Sequence, residues 1–250
     1  MNPKHTAFHR KVEGASKAVL FIHGICGSPY HFRDLYSQVP QDWTIESILL
    51  QGHGGSALDF GRASMARWRE QAGQAVDDLA ARHSTLLITG HSMGTLLAID
   101  QALQKPDQVK GLFLLAVPLR ARATGTSANQ AVRAALDLKS RGNPSVETAK
   151  ALYGIDPDRK VWRYLRYISR YNELLRFMKQ TREAIPRLQI PSRVLMSRLD
   201  EIVSAKSASY LTPNPMISLD WLEDSDHKYY PPEDKAFLLR DFAEFCRKLD

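Results

Sequence analysis

A serine between two glycines is the residue of this sequence best placed to do chemistry. The motif GHSMG at residues 90–94 fits Gly-x-Ser-x-Gly, and it lies between an apolar run that ends at Thr89 and a helical pattern that begins at Thr95. The glycines allow a tight strand–turn–helix reversal that presents the serine hydroxyl at the start of the helix. Ser92 is therefore the predicted nucleophile.

A serine hydroxyl is a weak nucleophile until a base takes its proton. Enzymes with this motif order the catalytic residues along the chain as serine, acid and histidine. Of the eight histidines only His227 follows Ser92, so His227 is the predicted base. Asp200, just after a predicted strand, is the predicted acid that orients the imidazole and stabilises its charged form. Three neighbouring carboxylates compete for the acid's role: Glu201, Asp224 and Asp226.

Acyl transfer also needs hydrogen-bond donors for the oxyanion. With this motif, one donor is the backbone N–H of the residue after the nucleophile, here Met93, and the other comes from a loop after an early strand. The loop HGICGSP at residues 23–29 has that position, and the N–H of Ile25 is its predicted donor. His23 precedes the serine in the chain and is interpreted as a support for this loop.

These residues depend on elements that alternate along the chain. Strands that are apolar throughout and separated by helices indicate a parallel sheet covered on both faces, and hence an α/β fold. The predicted strands are residues 18–22, 44–50, 86–89, 111–117, 192–197 and 216–221. Helices are predicted at residues 65–81, 95–103 and 233–249.

The middle of the chain has a different pattern. No strand is predicted from Leu119 to about Pro186, and helices are predicted at residues 126–141, 145–153 and 158–182. The expected organisation is a core domain of residues 1–118 and 188–250, with residues 119–187 as a helical cap, called the cap segment below. Apolar residues at helical spacing form the predicted buried stripe of its last helix: Val161, Leu165, Ile168, Tyr171, Leu175 and Met178.

Six short motifs occur in an order that resembles a known family: HGICGSP at 23–29, QGHGGS at 51–56, GHSMG at 90–94, LAVP at 115–118, Asp200 with Val203 three residues later, and SDH at 225–227. Over roughly residues 15–118 and 190–249 the chain resembles the carboxylesterase and monoacylglycerol-lipase branch of the α/β-hydrolases. The resemblance implies a mostly parallel central sheet flanked by helices, with a helical cap inserted after the strand that ends near Pro118. It also implies Ser92, Asp200 and His227 as the triad, with Ile25 and Met93 as oxyanion donors.

Composition excludes several other classes. Two cysteines, Cys26 and Cys246, provide no disulfide framework and are expected to be packing residues, so we expect a cytoplasmic protein. No metal-binding pattern and no cofactor motif are present, and we expect neither a metal nor a cofactor.

The net charge of +7 is unevenly distributed: residues 120–187 contain 15 Lys/Arg and 6 Asp/Glu, whereas the rest of the chain has a net charge of −2. Recognition motifs for nucleic acid do not accompany this charge, so nucleic acid is not an expected partner.

The expected activity is cleavage of a small-molecule carboxylic ester through an acyl-enzyme. A thioesterase, an amidase or peptidase and a carbon–carbon bond hydrolase would use the same triad and remain alternatives, since fold and triad do not separate them. The basic, aromatic-rich segment 158–182 suggests a further alternative, a lipase that associates weakly with an anionic membrane surface without inserting. A non-catalytic relative is disfavoured because the triad is intact. The acyl chain is expected against Tyr164, Leu165 or Ile168 of the cap, and the sequence leaves the oligomeric state open.

Overall fold

A computed structural model describes residues 5–122, 133, 136, 139, 142–158 and 160–249. Within these residues, seven strands form one sheet with the order β1-β3-β2-β4-β5-β6-β7. The strands are β1 (Phe8–Arg10), β2 (Lys17–Ile22), β3 (Thr44–Ile48), β4 (Thr85–His91), β5 (Val109–Leu115), β6 (Ser192–Ser197) and β7 (Ile217–Leu222).

All neighbouring strands are parallel except β1, which pairs antiparallel with β3 at the sheet edge. The carboxyl ends of β2, β4, β5 and β6 therefore lie along one edge. Ligands of open α/β sheets bind beyond this edge, and the predicted site residues follow these strands in the chain. The predicted α/β-hydrolase fold, with its mostly parallel sheet, is confirmed.

Helices pack against both faces of the sheet. The α-helices of the described residues are α1 (Ala57–Arg62), α2 (Met65–Ala80), α3 (Met93–Gln104), α4 (Pro144–Leu152), α5 (Tyr167–Ala184), α6 (Ala208–Leu211) and α7 (Pro232–Lys248).

Side chains alternate between the two faces of β2, and both sets are fully buried. Leu20 and Ile22 join the larger apolar cluster with α2 and α3, whereas Val19 and Phe21 pack in a second cluster with Phe242 of α7. Burial on both faces explains why the central strands are apolar throughout instead of alternating with polar residues. Cys246 of α7 is buried in the second cluster, as expected for a packing residue.

The cap segment differs from its sequence prediction at the start of its last helix. Residues 158–182 were predicted as one helix, but Val161–Arg166 is 3-10 and the α-helix α5 begins only at Tyr167. Asp158 holds the earlier residues in a turn, because its carboxylate accepts the N–H of Lys160 and pairs with Arg163. A 3-10 turn has fewer residues than an α-turn, so the faces of the two segments are out of phase.

The predicted buried stripe is consequently wrong for most of its residues. Five of its six members are exposed: Val161, Leu165, Ile168, Tyr171 and Leu175. Helix α5 instead buries a face that includes Tyr167, Leu174, Phe177 and Met178. Most of the helix predicted at residues 126–141 lies outside the described residues, and the division into core and cap domains stays a prediction.

Candidate active site

Ser92 lies at a sharp turn between β4 and α3. Its φ of 51° and ψ of −124° are unusual for a residue other than glycine. Strain of this kind clusters at functional sites and persists only where the surroundings enforce it. The N–H of Ser92 donates to the carbonyl oxygen of Leu115 in β5 at 2.9 Å, which fixes the turn to the sheet.

The two glycines of GHSMG are required by close backbone contacts. A Cβ on Gly94 would lie 1.9 Å from the carbonyl oxygen of Ile22 in β2, and a Cβ on Gly90 would lie 2.7 Å from the backbone of Gly94. Neither neighbour is a flexible side-chain end, so no larger residue fits at either position without moving the backbone. The motif therefore packs the start of α3 directly onto the sheet.

The structure brings Ser92, His227 and Asp200 together in one hydrogen-bonded row. The Ser92 Oγ lies 3.1 Å from Nε2 of His227, and Nδ1 of His227 lies 2.8 Å from Oδ2 of Asp200. All three residues are buried, with 6%, 3% and 2% of their surfaces exposed, respectively. The row has the contacts that a nucleophile, a base and an orienting acid need.

Hydrogen bonds distinguish Asp200 from its competitors. Its second oxygen, Oδ1, accepts the N–H groups of Ile202 and Val203 at 2.8 and 2.7 Å, which hold the carboxylate against the imidazole. Glu201 contacts the backbone of His227 rather than its ring, since its Oε2 accepts the His227 N–H at 3.2 Å. Asp226 accepts the N–H groups of two following residues through Oδ1.

The predicted oxyanion donors lie in two segments next to Ser92, the start of α3 and the loop after β2. Met93 is the first residue of α3, where an N–H has no acceptor within its own helix. The loop that contains Ile25 approaches the nucleophile closely, because a Cβ on Gly24 would lie 3.0 Å from the Cβ of Ser92. Within the described part of the chain, neither predicted donor amide has a hydrogen-bond acceptor.

Buried histidines hold these loops in place. His23 accepts the N–H of Leu50 at Nε2, and its Nδ1 lies 2.9 Å from the Gly24 oxygen. His53 accepts the N–H of Cys26 at Nε2, 3.1 Å away. Burial lowers the pKa of His23 to about 4 and that of His53 well below 6.5, so both rings are neutral acceptors at pH 7. The interpretation of His23 as a loop support agrees with these contacts.

A further pair of histidine rings packs beside His227. His91 lies 2.9 Å from the carbonyl oxygen of His227 through its Nε2, and its ring stacks on that of His31 with centroids 3.8 Å apart. Burial is the largest cause that lowers the pKa of both rings well below 6.5. Sequence reasoning missed this pair, although His91 lies within the serine motif.

A cavity of about 220 Å³ opens beside Ser92 and His227. Its lining is mostly apolar and combines residues from the loops at the sheet edge with residues from the cap segment. These are Ile25, Cys26, Ser92, Pro118, Ala121, Ala149, Tyr153, Tyr171, Leu174, Leu175, Met178, Ile202, His227 and Lys228.

The three cap residues predicted to bind the acyl chain do not line this cavity. Leu165 and Ile168 are exposed, and the hydroxyl of Tyr164 accepts the N–H of Asp158. The shifted start of α5 is the reason, since it turns Tyr171, Leu174 and Met178 toward the site instead. The helical spacing indicated an amphipathic cap helix but identified the wrong face of that helix as the one toward the site.

Cys26 and Lys228 also line the cavity, and neither was predicted to do so. Cys26 has a φ of 55° in the oxyanion loop and lies 3.8 Å from the Tyr171 hydroxyl through its sulfur. Burial raises the pKa of the Cys26 thiol to about 11, so the thiol is protonated at neutral pH and is a poor nucleophile. The position of Lys228 directly after His227 in the sequence could have indicated that it lies near the site.

The described residues contain neither a candidate metal site nor a candidate membrane span. No group of three or more His, Cys, Asp or Glu side chains in this part of the protein could hold a metal ion. None of the described helices is long and apolar enough to span a bilayer.

Comparison with known proteins adds three findings. Residues 13–214 match the family model described as serine aminopeptidase, S33. A thermostable monoacylglycerol lipase of Bacillus sp. (strain H-257) is 25% identical over 202 residues, which cover 80% of this chain and 76% of the lipase. A pimeloyl-[acyl-carrier protein] methyl ester esterase of Neisseria meningitidis (serogroup C / serotype 2a, strain ATCC 700532 / DSM 15464 / FAM18) is 32% identical over 110 residues, covering 43% of this chain and 39% of the esterase.

Solved structures share the fold at lower identity. A chain from the structural work on two metagenome-derived lipolytic enzymes, LipS and LipT, superposes with a TM-score of 0.76 at 22% identity, and the match covers 98% of both chains. A monoacylglycerol lipase of Paleococcus ferrophilus gives a TM-score of 0.69 at 17% identity, again over 98% of both chains.

Proposed function

The chain belongs to the serine aminopeptidase S33 family and is an ester-hydrolysing α/β-hydrolase, and from this premise we propose that Ser92, His227 and Asp200 cleave small carboxylic esters through an acyl-enzyme. The observation that carries the proposal is the pair of contacts at His227, 3.1 Å to Ser92 Oγ and 2.8 Å to Asp200 Oδ2, beside an apolar cavity.

In the first half of the reaction, Ser92 Oγ attacks the ester carbonyl while Nε2 of His227 takes its proton. Asp200 stabilises the resulting imidazolium through Nδ1, and the amides of Ile25 and Met93 donate to the oxyanion of the tetrahedral intermediate. The carbon–oxygen bond to the alcohol then breaks, and the alcohol leaves with the proton from His227. The acyl group remains on Ser92.

In the second half, water repeats the sequence on the acyl-enzyme. His227 takes a proton from water, the resulting hydroxide equivalent attacks the acyl carbonyl, and Ser92 leaves with the proton returned by His227. The acid is released and the enzyme is regenerated. No step needs a metal or a cofactor.

The lining of the cavity supports an ester over a free amino-terminal peptide. An aminopeptide carries an ammonium group, which a site binds best with a carboxylate. Among the described residues that line the cavity there is no Asp or Glu, and the charged residue present, Lys228, is a cation. Similarity to a monoacylglycerol lipase and to a methyl ester esterase also supports a carboxylic ester.

Cavity size supports a short or medium acyl chain. The volume of about 220 Å³ is below the range of roughly 300–1,000 Å³ that is usual for pockets enclosing drug-sized ligands. A long chain would have to extend past the exposed residues Tyr171 and Leu175 into solvent.

The first experiment compares wild type and Ser92→Ala on p-nitrophenyl esters from acetate to palmitate, with aminoacyl p-nitroanilides assayed in parallel. We expect wild type to prefer short to medium esters and Ser92→Ala to lose on the order of 10⁶ in turnover, as triad nucleophiles do. A Ser92→Ala variant with wild-type activity would contradict the proposal. Faster cleavage of the anilides than of every ester would make the protein a peptidase.

We also propose a second candidate function, weak association of the cap segment with an anionic lipid surface. It is favoured by a row of exposed apolar residues that begins at Val161 and Trp162 and reaches Leu175, which also lines the cavity. The excess of basic residues in the cap segment would favour anionic headgroups. An ester held in such a surface would lie next to the mouth of the site.

Co-sedimentation with phosphatidylglycerol and phosphatidylcholine vesicles tests this second candidate. We expect binding to phosphatidylglycerol at low salt, weaker binding at high salt because the charges are screened, and little binding to phosphatidylcholine. No binding to phosphatidylglycerol at low salt would end this candidate without affecting the triad.

A further inference from the structure

Lys228 is a half-buried cation that lines a cavity whose lining is otherwise mostly apolar. It directly follows His227 and lines the same cavity as Ser92. An ammonium group that is partly removed from water loses hydration, which an opposite charge or hydrogen-bond acceptors can replace. A group that compensates the Lys228 ammonium would therefore indicate what the cavity binds.

The described residues provide no direct partner for the Lys228 ammonium, which forms neither an ion pair nor a hydrogen bond with any of them. Asp226 and Glu201 attract it from a distance, and this attraction opposes the lowering of the Lys228 pKa by burial. Both carboxylates are engaged elsewhere. Asp226 accepts the N–H groups of Lys228 and Tyr229, each at 2.7 Å, and Glu201 accepts the N–H of His227.

We propose that Lys228 binds a negatively charged group of the substrate, so that the enzyme prefers esters that carry a carboxylate or phosphate near the scissile bond. This inference rests on the proposed function, because the ester must reach Ser92. An anion in the cavity would give the ammonium a charge-assisted hydrogen bond, which is stronger in such surroundings than in water. A neutral ester of the same shape offers the ammonium no opposite charge.

Two further features agree with an anionic substrate. Among the described lining residues no carboxylate would repel it. The cap segment, which provides the other wall, carries nine more basic than acidic residues over positions 120–187 and would attract anions toward the mouth.

The test uses two pairs of esters, because the charge could lie on either side of the scissile bond. On the acyl side, the mono-p-nitrophenyl ester of adipic acid is compared with the p-nitrophenyl ester of adipic acid monoamide. On the alcohol side, the butyrate of m-hydroxybenzoic acid is compared with the butyrate of m-hydroxybenzamide. The readout is the ratio of kcat/KM for the charged over the neutral member of each pair.

We expect wild type to prefer the charged member of one pair by about 10-fold or more, since a hydrogen bond to a charged group contributes roughly 1.5–3 kcal/mol. Lys228→Met keeps most of the side-chain length and should bring that ratio close to one. Lys228→Arg keeps the charge and should retain most of the preference. Lys206→Met, at an exposed position outside the cavity, is the matched control and should leave the ratio unchanged.

Equal kcat/KM values within both pairs for wild type would overturn the role of Lys228 while leaving ester hydrolysis intact. A preference that survives in Lys228→Met would overturn it as well. If no ester is hydrolysed, the proposed function fails, and calorimetry with Ser92→Ala then decides about Lys228. Binding of adipic acid monoamide about 10-fold tighter than hexanamide, lost in the Ser92→Ala/Lys228→Met double variant, would support the anion site. Equal dissociation constants would refute it.

Discussion

The two walls of the cavity are built differently. On the sheet side, short loops after β2, β4 and β6 carry Ile25, Ser92 and Asp200, and buried hydrogen bonds fix each loop. On the cap side, α5 provides Tyr171, Leu174 and Met178, and the same helix exposes Ile168 and Leu175 to solvent. Groups that react must be held to a fraction of an ångström, whereas an apolar wall has only to fill space.

Backbone conformation shows the same contrast. The described residues other than glycine with positive φ are Cys26, Ser92 and Ala116, each following a strand of the sheet at its carboxyl end. In the described part of the cap segment, positive φ occurs at Gly142, where glycine adopts it without strain. Strain is thus concentrated on the side that is proposed to do the chemistry.

The largest expected effect is the loss of activity when the triad acid on the sheet side is replaced. Asp200→Asn should lower kcat by roughly 10⁴, because the amide cannot hold the imidazole in the required tautomer and cannot stabilise its charge. Steady-state hydrolysis of p-nitrophenyl butyrate provides the measurement, and circular dichroism checks that the fold is retained.

Glu201→Gln is the matched control for this substitution. Glu201 is the adjacent carboxylate and accepts the backbone N–H of His227, whereas Asp200 contacts the ring, so a much smaller loss in kcat is expected. Equal losses in the two variants would show that the sequence-adjacent acid shares the role. A larger loss of kcat in Glu201→Gln than in Asp200→Asn would identify Glu201 as the triad acid instead of Asp200.

Much of the sheet side could be predicted from the sequence, for physical reasons that particular residues illustrate. Strands β2 and β4 are buried on both faces, so their apolar runs are visible without knowing the fold. GHSMG combines a nucleophile with two glycines that the backbone contacts of α3 require. His227 could be identified because no other histidine follows Ser92.

The cap side was less predictable because its pattern fits more than one helical phase. Val161, Leu165 and Ile168 step as an α-helix would, but the bonds of Asp158 set a 3-10 turn first. Neither these bonds nor the partner surface that selects the Tyr167 and Phe177 face can be read from spacing alone. The bonds of His53 and the position of Lys228 in the cavity depend likewise on contacts between distant segments.

An intermediate effect is expected on the unfolding free energy when the pH is lowered. The histidines that cause it belong to the sheet side. All eight histidines lie outside the cap segment. Burial lowers the pKa values of the buried residues His23, His53 and His91 and of the half-buried His31, to about 4 for His23. Between the unfolded value of 6.5 and the folded value, the unfolded chain binds more protons, so stability is highest above pH 6.5 and falls as the pH drops.

Each such histidine can remove up to about 1.4 kcal/mol of unfolding free energy per pH unit. Burial raises the pKa of Glu201, which has the opposite sign and offsets part of one histidine. Urea unfolding between about pH 7 and pH 5 measures the slope above the range of ordinary carboxylates. His31→Phe keeps a ring against His91 and should reduce the slope. A wild-type free energy that does not change over this interval would contradict the neutral buried histidines.

The smallest effect is expected on the exposed face of the cap. Ile168 is 58% exposed, so Ile168→Ser should change the unfolding free energy by no more than about 0.5 kcal/mol. Phe177, on the buried face of the same helix α5, is 4% exposed, and Phe177→Ala should cost roughly 3–5 kcal/mol. Urea unfolding with an unchanged slope measures both. A loss above about 1.5 kcal/mol in Ile168→Ser would mean that another surface covers this face in solution, because only lost burial accounts for a loss of that size at this position. The contrast between a constrained sheet side and a loosely specified cap would then apply to the isolated chain only.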